Sequence, residues 1–458
     1  MSEQEFDVIV IGAGPAGEVV AGRTADAGLK TVIIEQDLIG GECSFYACMP
    51  SKALLRPGEL LAETQRVPGV RELVSGELDP AIVFARRDEV IHNLDDSGMI
   101  PWLDDHGIEL VRGRGTLESE RTVVAGGQRL TARKAVVIAT GTSAAVPPID
   151  GLSAAGPWTS REATTAKAIP DRLLILGGGV VGVEMAQAYS SLGATVALVE
   201  GMDRILAHEE EFASEEISGS LEAAGVEIHT GVKATGVSRG DSGQVTLRLD
   251  DGTELRGDEI LVATGRRPRT EELGLASVGV APNDAGYIEV GDDMRVDDSD
   301  WLYAIGDVNG RSLLTHMGKY QAWVCAERIC GRDATATADL AGSPRVVFTE
   351  PQLAAVGLTF EKAKETGLDV RAVDVQTAAN AGASFVGRNA VGTSRIVVDE
   401  SRSVIVGATF VGPEIGESLH AASIAVAAEV PLERLRHAVP AFPTRSEIWL
   451  RLLEKYGA

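Results

Sequence analysis

The sequence lacks any run of apolar residues close to the roughly 18 that a membrane-spanning helix requires, and it has no excess of positive charge. Its formal net charge is −25, which argues against nucleic acid or an anionic membrane as the partner. The chain begins with acidic residues and a short apolar strand, which is not the pattern of a secretory signal. We therefore expect a cytoplasmic protein that binds neither nucleic acid nor membrane.

Cysteine is scarce as well. Four cysteines in 458 residues are too few for a disulfide scaffold, and a close pair in a reducing cytosol is typical of catalysis or metal binding. Cys43 and Cys48 are either a redox pair, a metal site or two buried structural residues. Zinc would need two further ligands nearby, and the segment offers none. Cys325 and Cys330 share a predicted helix that separates them by about 7.5 Å along its axis, so we expect buried core residues there.

Glycine, by contrast, is abundant, and the 52 glycines cluster where strands meet helices. The stretch "FDVIVIGAGPAGEVVAGRTADAGLKTVIIE" reads as strand, glycine turn, helix and strand. Gly12, Gly14 and Gly17 have the G-x-G-x-x-G spacing, which permits a tight turn and close approach of backbone to a pyrophosphate. Glu35 ends the second strand, where a carboxylate accepts hydrogen bonds from an adenosine ribose. The stretch predicts a dinucleotide site.

The same pattern occurs a second time. Gly177, Gly179 and Gly182 repeat the glycine spacing, and Glu200 ends the strand that follows. Each copy is followed by a Val/Ile-rich strand that ends in Ala-Thr-Gly, at 139–141 and at 263–265. Such a repeat predicts two Rossmann-like units and two dinucleotide cofactors, or else one functional site and one decayed copy.

Proline sets the expected conformation of the cysteine segment. Pro50 is favoured in the first turn of a helix and disfavoured inside one. The helix is therefore predicted to begin near Met49 or Pro50, with both cysteines in the irregular segment before it, where a disulfide is feasible. Cys48 would lie beside a helix N-terminus, which favours the thiolate. A redox pair is the best of the three interpretations.

Taken together, these motifs resemble the class I pyridine nucleotide–disulfide oxidoreductases, the family of dihydrolipoamide dehydrogenase, glutathione reductase and mercuric reductase. The resemblance runs from about residue 5 to the C-terminus and includes Gly40–Lys52, Ala304–Asp307 and Pro443–Glu447. It implies an α/β fold with two nested Rossmann-like dinucleotide-binding domains and a C-terminal α+β interface domain, paired as a homodimer. The implied boundaries are 1–150 and 269–342 for the FAD domain, 151–268 for the NAD(P) domain and 343–458 for the interface domain.

The resemblance also implies a route for electrons, from NAD(P)H through FAD to a Cys43–Cys48 disulfide and on to a small-molecule acceptor. Cys48 would be the sulfur nearest the flavin, and Cys43 would meet the acceptor. Lys52 would approach the flavin N5 region, paired with Glu184, since a cation there stabilises the anionic reduced flavin. An exposed helix acid is the alternative interpretation of Glu184.

The resemblance further implies a set of cofactor-binding residues and no metal ligand. The candidates are Gly12, Gly14, Pro15, Ala16, Gly17, Glu35, Gly41, Lys52, Ala139, Thr140, Gly141, Gly177, Gly179, Val181, Gly182, Glu200, Gly265, Asp307 and His316. Asp307 is expected at the ribityl–phosphate region of FAD and His316 at the flavin pyrimidine edge. A helix-capping or solvent-exposed residue is the alternative for His316.

One position departs from the family. Relatives that reduce disulfides carry His-Pro-Thr-x-x-Glu from the partner subunit, and that His protonates the leaving thiolate. Here Phe442 replaces the His, while Glu447 remains as a candidate catalytic residue. General acid–base catalysis is typically worth about 10²–10⁴-fold, so we expect a different proton route. Mercuric reductases also lack this His but carry a C-terminal cysteine pair, which this chain does not have, so mercury reduction is not expected.

Two questions are left by the sequence. Glu200 favours NADH, because a carboxylate there binds a free 2′-hydroxyl and repels a 2′-phosphate; Arg204 and the pair Arg266–Arg267 are the cations that could oppose this. There are three hypotheses for the oxidative half of the reaction. The first is a disulfide or dithiol substrate, as in dihydrolipoamide dehydrogenase, and the second is a quinone reduced directly by the flavin. The third is a redox-sensing subunit that turns over slowly. Phe45, Tyr46 and Phe442 would give the sulfurs an apolar outer face, which suits a flat hydrophobic acceptor.

Overall fold

The computed structural model describes residues 3–297, 299–339 and 342–457. Contacts divide the chain into two compact units, each assembled from three separate stretches of sequence. The first unit comprises 1–50, 88–144 and 266–340, and the second comprises 51–87, 145–265 and 341–458. No helix within the described ranges has both the length and the apolarity that crossing a membrane requires.

The first unit is built on a sheet with a parallel centre. The strand Glu3–Ile11 lies between Thr31–Glu35 and Gln128–Ile138 and runs parallel to both, and Leu302–Ala304 extends the parallel set. Strands covered on both faces read as continuous apolar runs rather than as alternation, and "VIVI" at 8–11 is buried throughout. The strands are Glu3–Ile11, Thr31–Glu35, Glu109–Arg112, Thr116–Ser119, Thr122–Ala125, Gln128–Ile138, Thr142–Ala144, Arg266–Pro268 and Leu302–Ala304.

The helix Pro15–Asp26 of the first unit begins at the first glycine turn, with Gly14 as its N-cap. Its α-helices are Pro15–Asp26, Gly41–Phe45, Ile100–Asp105 and Thr315–Ile329, with 3₁₀ turns at His92–Leu94, Ser97–Met99, Leu275–Val278 and Gly306–Asn309. The helices Pro15–Asp26 and Thr315–Ile329 pack closely, since a Cβ at Gly318 would lie 3.4 Å from the Ala16 methyl. Small residues at this crossing bring the starts of both helices to one region of the unit.

The second unit contains a second parallel sheet in the order Glu227–Thr230, Thr195–Glu200, Arg172–Leu176, Glu259–Val262. An antiparallel sheet of Ala234–Arg239, Val245–Leu249 and Glu254–Gly257 accompanies it. Before residue 341, its complete α-helices are Ser160–Thr165, Val180–Ser191 and Glu211–Ala223, with a 3₁₀ turn at Arg71–Leu73. The greater part of each of the helices Cys48–Arg66 and Pro80–Val90 also belongs to this unit. The helix Val180–Ser191 starts directly after the second glycine turn, as Pro15–Asp26 does after the first.

The C-terminal part of the second unit is an antiparallel sheet with helices beside it. Its strand order is Arg345–Val347, Gln352–Gly357, Val404–Gly412, Thr393–Asp399, Val370–Gln376. Its α-helices are Phe360–Glu365, Leu419–Ala427, Leu432–Leu435 and Ile448–Tyr456, with 3₁₀ turns at Gly382–Phe385, Ile415–Ser418 and Arg445–Glu447. The α/β fold class and its dinucleotide-binding architecture are confirmed. The helix Leu419–Ala427 is strongly apolar in composition, and it leaves Ile424 53% exposed in the single chain.

Candidate active site

The first glycine turn leaves no room for side chains at its crossing points. A Cβ on Gly12 would lie 2.4 Å from the Ala139 carbonyl oxygen, and one on Gly17 would lie 1.9 Å from the Gly12 oxygen. Gly12 also has a φ of +105°, which side chains rarely tolerate. Gly14, at the N-cap of the helix Pro15–Asp26, has nothing within 4 Å of its Cβ direction. The turn is closed towards the sheet and open on the side where the free helix N–H groups point.

Glu35 is held at this turn by backbone donors. One carboxylate oxygen accepts from the Ala13 N–H at 2.7 Å and the other from the Asp37 N–H at 2.7 Å. Each carboxylate oxygen has further lone pairs, so a ribose hydroxyl can still donate to it. The open glycine turn and the fixed acid fit the pyrophosphate and the ribose of FAD.

The second glycine turn repeats this geometry in the other unit. A Cβ on Gly177 would lie 2.4 Å from the Ala263 oxygen, and one on Gly182 would lie 1.9 Å from the Gly177 oxygen, while Gly179 is open. Glu200 accepts from the Gly178 N–H at 2.6 Å and from the Met202 N–H at 2.8 Å. Val181 follows in the first turn of the helix and is 37% exposed. The second turn fits a nicotinamide dinucleotide by the same features as the first fits FAD.

Asp307, Thr142 and Arg266 form a chain of hydrogen bonds in the first unit. Asp307 lies just after the strand Leu302–Ala304 and accepts from the Thr142 hydroxyl at 2.8 Å. Arg266 in turn donates to that hydroxyl at 2.6 Å. Burial raises the pKa of Asp307, and the Thr142 hydrogen bond and the Arg266 charge oppose the rise. A carboxylate held this way is able to accept from a ribityl hydroxyl.

The Ala-Thr-Gly segments directly follow the strands Gln128–Ile138 and Glu259–Val262, beside the glycine turns. Thr140 donates its hydroxyl to the Arg269 carbonyl at 2.9 Å, and Gly141 accepts from the Arg269 N–H at 3.0 Å. In the second unit, Gly265 has a φ of +142° and accepts from the Ala145 N–H at 3.0 Å. These bonds define how the chain leaves each strand next to its dinucleotide turn.

The prediction that both cysteines precede the helix is wrong. The helix begins at Cys48, and Cys43 lies in the short helix Gly41–Phe45. Pro50 is still in the first turn, where its missing N–H costs nothing, and so two residues precede it within the same turn. Gly41 has a φ of +58° and passes so close to Gly14 that a Cβ would lie 2.9 Å from the Gly14 Cα. This contact carries the cysteine segment back onto the first glycine turn.

The two thiols are in contact. All four cysteines are thiols, and the Cys43 thiol is hydrogen-bonded to the Cys48 sulfur. That hydrogen bond raises the pKa of Cys43, burial raises it further, and the Thr315 hydroxyl and the Lys319 charge lower it. The pair therefore holds one proton strongly on Cys43. No cluster of metal-ligating side chains occurs in the part of the chain that the structure describes.

Thr315 is a contact that sequence reasoning missed. It is the first residue of the helix Thr315–Ile329, and its hydroxyl lies 3.5 Å from the Cys48 sulfur. The inner sulfur thus lies where two helices begin, and each helix start carries a partial positive charge. His316 follows in the same turn and is exposed. Only its place one residue before the predicted His316 could have drawn attention to Thr315.

Glu42 and Arg269 form a second contact that sequence reasoning missed. Glu42 stands between Gly41 and Cys43, and its carboxylate accepts from Arg269 at 2.8 Å with little exposure of the acid. The pair ties the cysteine segment to the chain after the strand Arg266–Pro268. An acid directly before a redox-active cysteine is a signal that the sequence carried, although its partner lies 227 positions away.

Lys52 and Glu184 meet in the second unit. The Lys52 ammonium lies 2.8 Å and 3.1 Å from the two carboxylate oxygens of Glu184. The Glu184 side chain is 4% exposed and that of Lys52 35% exposed, so the interpretation of Glu184 as an exposed acid is wrong. Lys52 follows Cys48 by one turn of the same helix. The buried Glu184 carboxylate fixes the direction of the Lys52 ammonium, which is partly exposed.

The C-terminal segment presents an apolar side chain outward. Phe442 is 78% exposed, Val439 is 82% exposed, and the Phe442–Pro443 peptide bond is cis. Glu447 is 7% exposed, and its Oε2 has no hydrogen-bond partner among the described residues. Glu447 is thus buried although position 442 is a phenylalanine. Of the other cysteines, Cys325 is buried as expected, whereas Cys330 is only partly buried.

Comparisons with known proteins give the same picture. Residues 6–329 match the family model described as pyridine nucleotide-disulphide oxidoreductase, and residues 343–452 match that of the family's dimerisation domain. A dihydrolipoyl dehydrogenase of Thermus scotoductus is 35% identical over 448 residues, covering 96% of this chain and 95% of the relative. A mercuric reductase of Staphylococcus aureus is 30% identical over 447 residues, covering 97% and 81%. The Cu(II) complex of HOCl-induced flavoprotein disulfide reductase RclA from Escherichia coli has a TM-score of 0.87 at 26% identity, covering 98% and 99%.

Proposed function

Because the chain belongs to the pyridine nucleotide-disulphide oxidoreductase family, we propose that it passes electrons from NADH to the Cys43–Cys48 pair and on to a small disulfide, which is reduced to a dithiol. It is an enzyme of the FAD- and NAD(P)H-dependent kind. FAD, when bound, supplies the exchange between a hydride and two electrons. The residues proposed to hold the cofactors are those of the two glycine turns with Glu35, Glu200 and Asp307.

The observation that carries the proposal is the contact between the Cys43 and Cys48 thiols at a helix start. Reduction of a Cys43–Cys48 disulfide breaks the S–S bond and takes up two electrons and one proton. It leaves a thiol on Cys43, whose pKa is raised, and a thiolate on Cys48. In the oxidative half-reaction, the Cys43 thiol would lose its proton and attack one sulfur of the acceptor disulfide, whose first thiolate would leave and take up that proton. The Cys48 thiolate would then attack the Cys43 sulfur, which closes the Cys43–Cys48 disulfide and releases the second thiolate to take up a proton from solvent.

The proton for the leaving thiolate follows an altered route in this proposal. A phenylalanine at position 442 cannot transfer a proton, and Glu447 keeps a buried carboxylate oxygen without a partner in the described chain. The Cys43 thiol itself holds a proton strongly. We therefore expect slow interchange with disulfides whose leaving thiolates are strong bases, and faster interchange with those whose leaving thiolates need no proton.

NADH is the proposed nicotinamide. Glu200 has both oxygens fixed at the second turn. Arg204 points one guanidinium nitrogen at the carbonyls of Ala207 and Glu209, each at 3.0 Å. The other two candidate cations are occupied as well: Arg266 by Thr142 and Arg267 by Glu271. The measurement is the ratio of kcat/KM for NADH and NADPH, and a ratio below one would contradict the assignment.

A homodimer is proposed as the working form, on the match to the dimerisation domain and on the exposure of Phe442 and Ile424. The domain boundaries proposed from the sequence remain 150/151, 268/269 and 342/343. Sedimentation equilibrium at micromolar concentration checks the dimer directly, with one chain mass as the contradicting result.

The test of the function is an anaerobic titration with NADH. Four electrons per FAD, with a charge-transfer band that Cys48→Ala abolishes, would establish the redox pair. Uptake of two electrons per FAD without the band would contradict the proposal.

Reduction of quinones directly from the flavin is the second candidate, favoured by the exposed Phe442 and by the loss of the family's proton donor. Steady-state rates with lipoamide and with a benzoquinone, for wild type and Cys43→Ser, separate the two. Quinone turnover that survives the substitution, with negligible lipoamide turnover, would select the second candidate.

A further inference from the structure

The Lys52–Glu184 ion pair has a third partner. The Phe348 N–H donates to Oε1 of Glu184 at 3.0 Å, and the face of the Phe348 ring lies 4.6 Å from the Lys52 ammonium. One residue thus contacts the acid through its backbone and the base through its side chain. Each contact is of a recognised type: a charge-assisted hydrogen bond and a cation–π interaction.

Phe348 is itself held in place. It directly follows the strand Arg345–Val347, whose last residue is buried in the apolar core of the second unit. Two residues further on, the Glu350 N–H donates to the Gln187 side-chain oxygen at 2.7 Å. Glu184 and Gln187 lie on the same face of the helix Val180–Ser191, because three positions bring side chains to one face. The segment from 348 to 350 is therefore anchored to that helix at two points.

Lys52 needs such a constraint. Its side chain is 35% exposed and has four rotatable bonds. The Glu184 carboxylate determines how far the ammonium lies from the acid, but the lysine side chain can still swing about that single contact. A ring on another side of the ammonium removes this freedom.

We propose that Phe348 is a positioning residue for Lys52, holding the ammonium between its ring and the Glu184 carboxylate. The contribution to the flavin chemistry rests on the proposed function, since it requires Lys52 to act on the flavin. The positioning itself does not, because it concerns contacts within the second unit only.

The experiment uses the full-length, FAD-bound protein with ¹³C-labelled lysine εCH₂ groups. A lysine εCH₂ over a ring face resonates upfield, and Lys52→Arg identifies the Lys52 signal by its disappearance. Phe348→Leu keeps an apolar side chain and the backbone N–H but removes the ring, so the Lys52 signal should move to the position of an ordinary lysine. Phe348→Tyr should retain the upfield position, and Phe348→Trp decides the matter if the leucine variant does not fold.

The chain offers a matched control. Lys364 lies over the Phe360 ring at 4.4 Å in an exposed helix. Phe360→Leu should move the Lys364 signal and leave the Lys52 signal where it is. An unchanged Lys52 signal in Phe348→Leu overturns the proposal.

A second readout links positioning to function. The rate of flavin reduction by NADH, measured by stopped flow, should fall about two- to tenfold in Phe348→Leu and recover in Phe348→Tyr. Lys52→Met should slow it further. If Lys52→Met leaves the rate unchanged, the proposed role of Lys52 fails, while the lysine spectrum still decides whether Phe348 positions it. An upfield signal lost in Phe348→Leu with an unchanged rate supports the positioning of Lys52 by Phe348 and contradicts its contribution to flavin reduction.

Discussion

Among the residues around the thiol pair, Thr315 contacts Cys48 through a hydroxyl that a single substitution can remove. Thr315→Val preserves shape but removes the hydroxyl 3.5 Å from the sulfur. In a Cys43→Ser background, the midpoint of the pH profile of Cys48 alkylation by iodoacetamide should move up by about one unit, because a hydrogen bond to a charged group is worth roughly 1.5 kcal/mol. Mass spectrometry of the alkylated peptide measures the rate at each pH.

Two further variants control this prediction. Thr315→Ser should restore the wild-type profile, because it returns the hydroxyl. Thr366→Val removes a hydroxyl that donates only to the Ala363 carbonyl of its own helix, at 2.7 Å, and should leave the profile unchanged. An unaltered profile in Thr315→Val would mean that the contact does not stabilise the thiolate.

Single residues were predictable where a local pattern defines them. Gly12 and Gly177 are required by their turns, and Glu35 and Glu200 by the strand ends beside them, so local sequence was sufficient. Thr315 and the partners Glu42 and Arg269 were not predictable in this way. Their contacts join segments more than 200 positions apart, and no periodicity in the sequence records which side chains meet.

At the level of elements, the helix Pro15–Asp26 carries a buried acid with a pH-dependent cost. Burial raises the pKa of Glu18 to about 7, opposed by the Lys319 charge. Its Oε1 has no hydrogen-bond partner among the described residues. The pKa is higher in the folded chain than the ordinary value of 4.5, so ionisation of Glu18 disfavours folding. As far as this group is concerned, the free energy of unfolding is highest below about pH 4.5 and falls as the pH rises towards 7.

Glu18→Gln should remove this dependence. Relative to wild type, the variant should gain melting temperature at pH 8 but not at pH 5, with an upper limit of about 3 kcal/mol. Differential scanning fluorimetry of the FAD-bound protein at both values measures the difference. Glu222→Gln, at an exposed helix position, should show no such difference between the two pH values. An equal effect at pH 5 and pH 8 would contradict the assignment to ionisation.

Arg395 joins three elements of the second unit. From the strand Thr393–Asp399 it contacts Asp374 through two nitrogens, each at 2.7 Å, and Glu210 at 2.7 Å. The Glu210 side chain is 4% exposed. Arg395→Met should destabilise the protein by about 3–5 kcal/mol, because it leaves a buried charge without its partner. The urea midpoint measures this. Arg451→Met, whose partner Glu454 is 52% exposed, should cost less than about 1 kcal/mol.

Element boundaries were less predictable than element types. The strand–turn–helix units and the apolar helix near the C-terminus follow from composition and period. The start of the helix at Cys48 did not, because proline is equally acceptable at several positions of a first turn. Pro57 lies inside the same helix, although a proline in a sequence normally predicts the end of a helix.

At the scale of the whole molecule, Phe442→His tests whether a missing proton donor limits the enzyme. The variant introduces an imidazole at position 442, and Glu447 keeps an oxygen without a partner in the described chain to orient it. Turnover of a disulfide substrate should rise by about tenfold or more, with a new dependence on a group that titrates near neutral pH. The pH profile of kcat/KM measures both effects.

The control for this substitution is Phe442→Asn, which is polar but transfers no proton and should not raise turnover. No gain in Phe442→His would mean that proton transfer is not what limits interchange. From the sequence, the two nested dinucleotide folds were predictable, since each leaves a complete local pattern. A contribution from a partner chain was predicted only by resemblance, because no local pattern in the sequence marks a residue that acts on another copy of the chain.

The paired backbone bonds to Glu35 and Glu200 have a consequence for changing cofactor specificity. In each turn the acid that would read the ribose also satisfies two amides of the loop it belongs to. Exchanging Glu200 for a small or basic residue, to admit a 2′-phosphate, would leave the amides of Gly178 and Met202 without acceptors. The same carboxylate thus determines both the cofactor preference and the stability of the loop, and a switch to NADPH would need a compensating hydrogen-bond acceptor elsewhere in the turn.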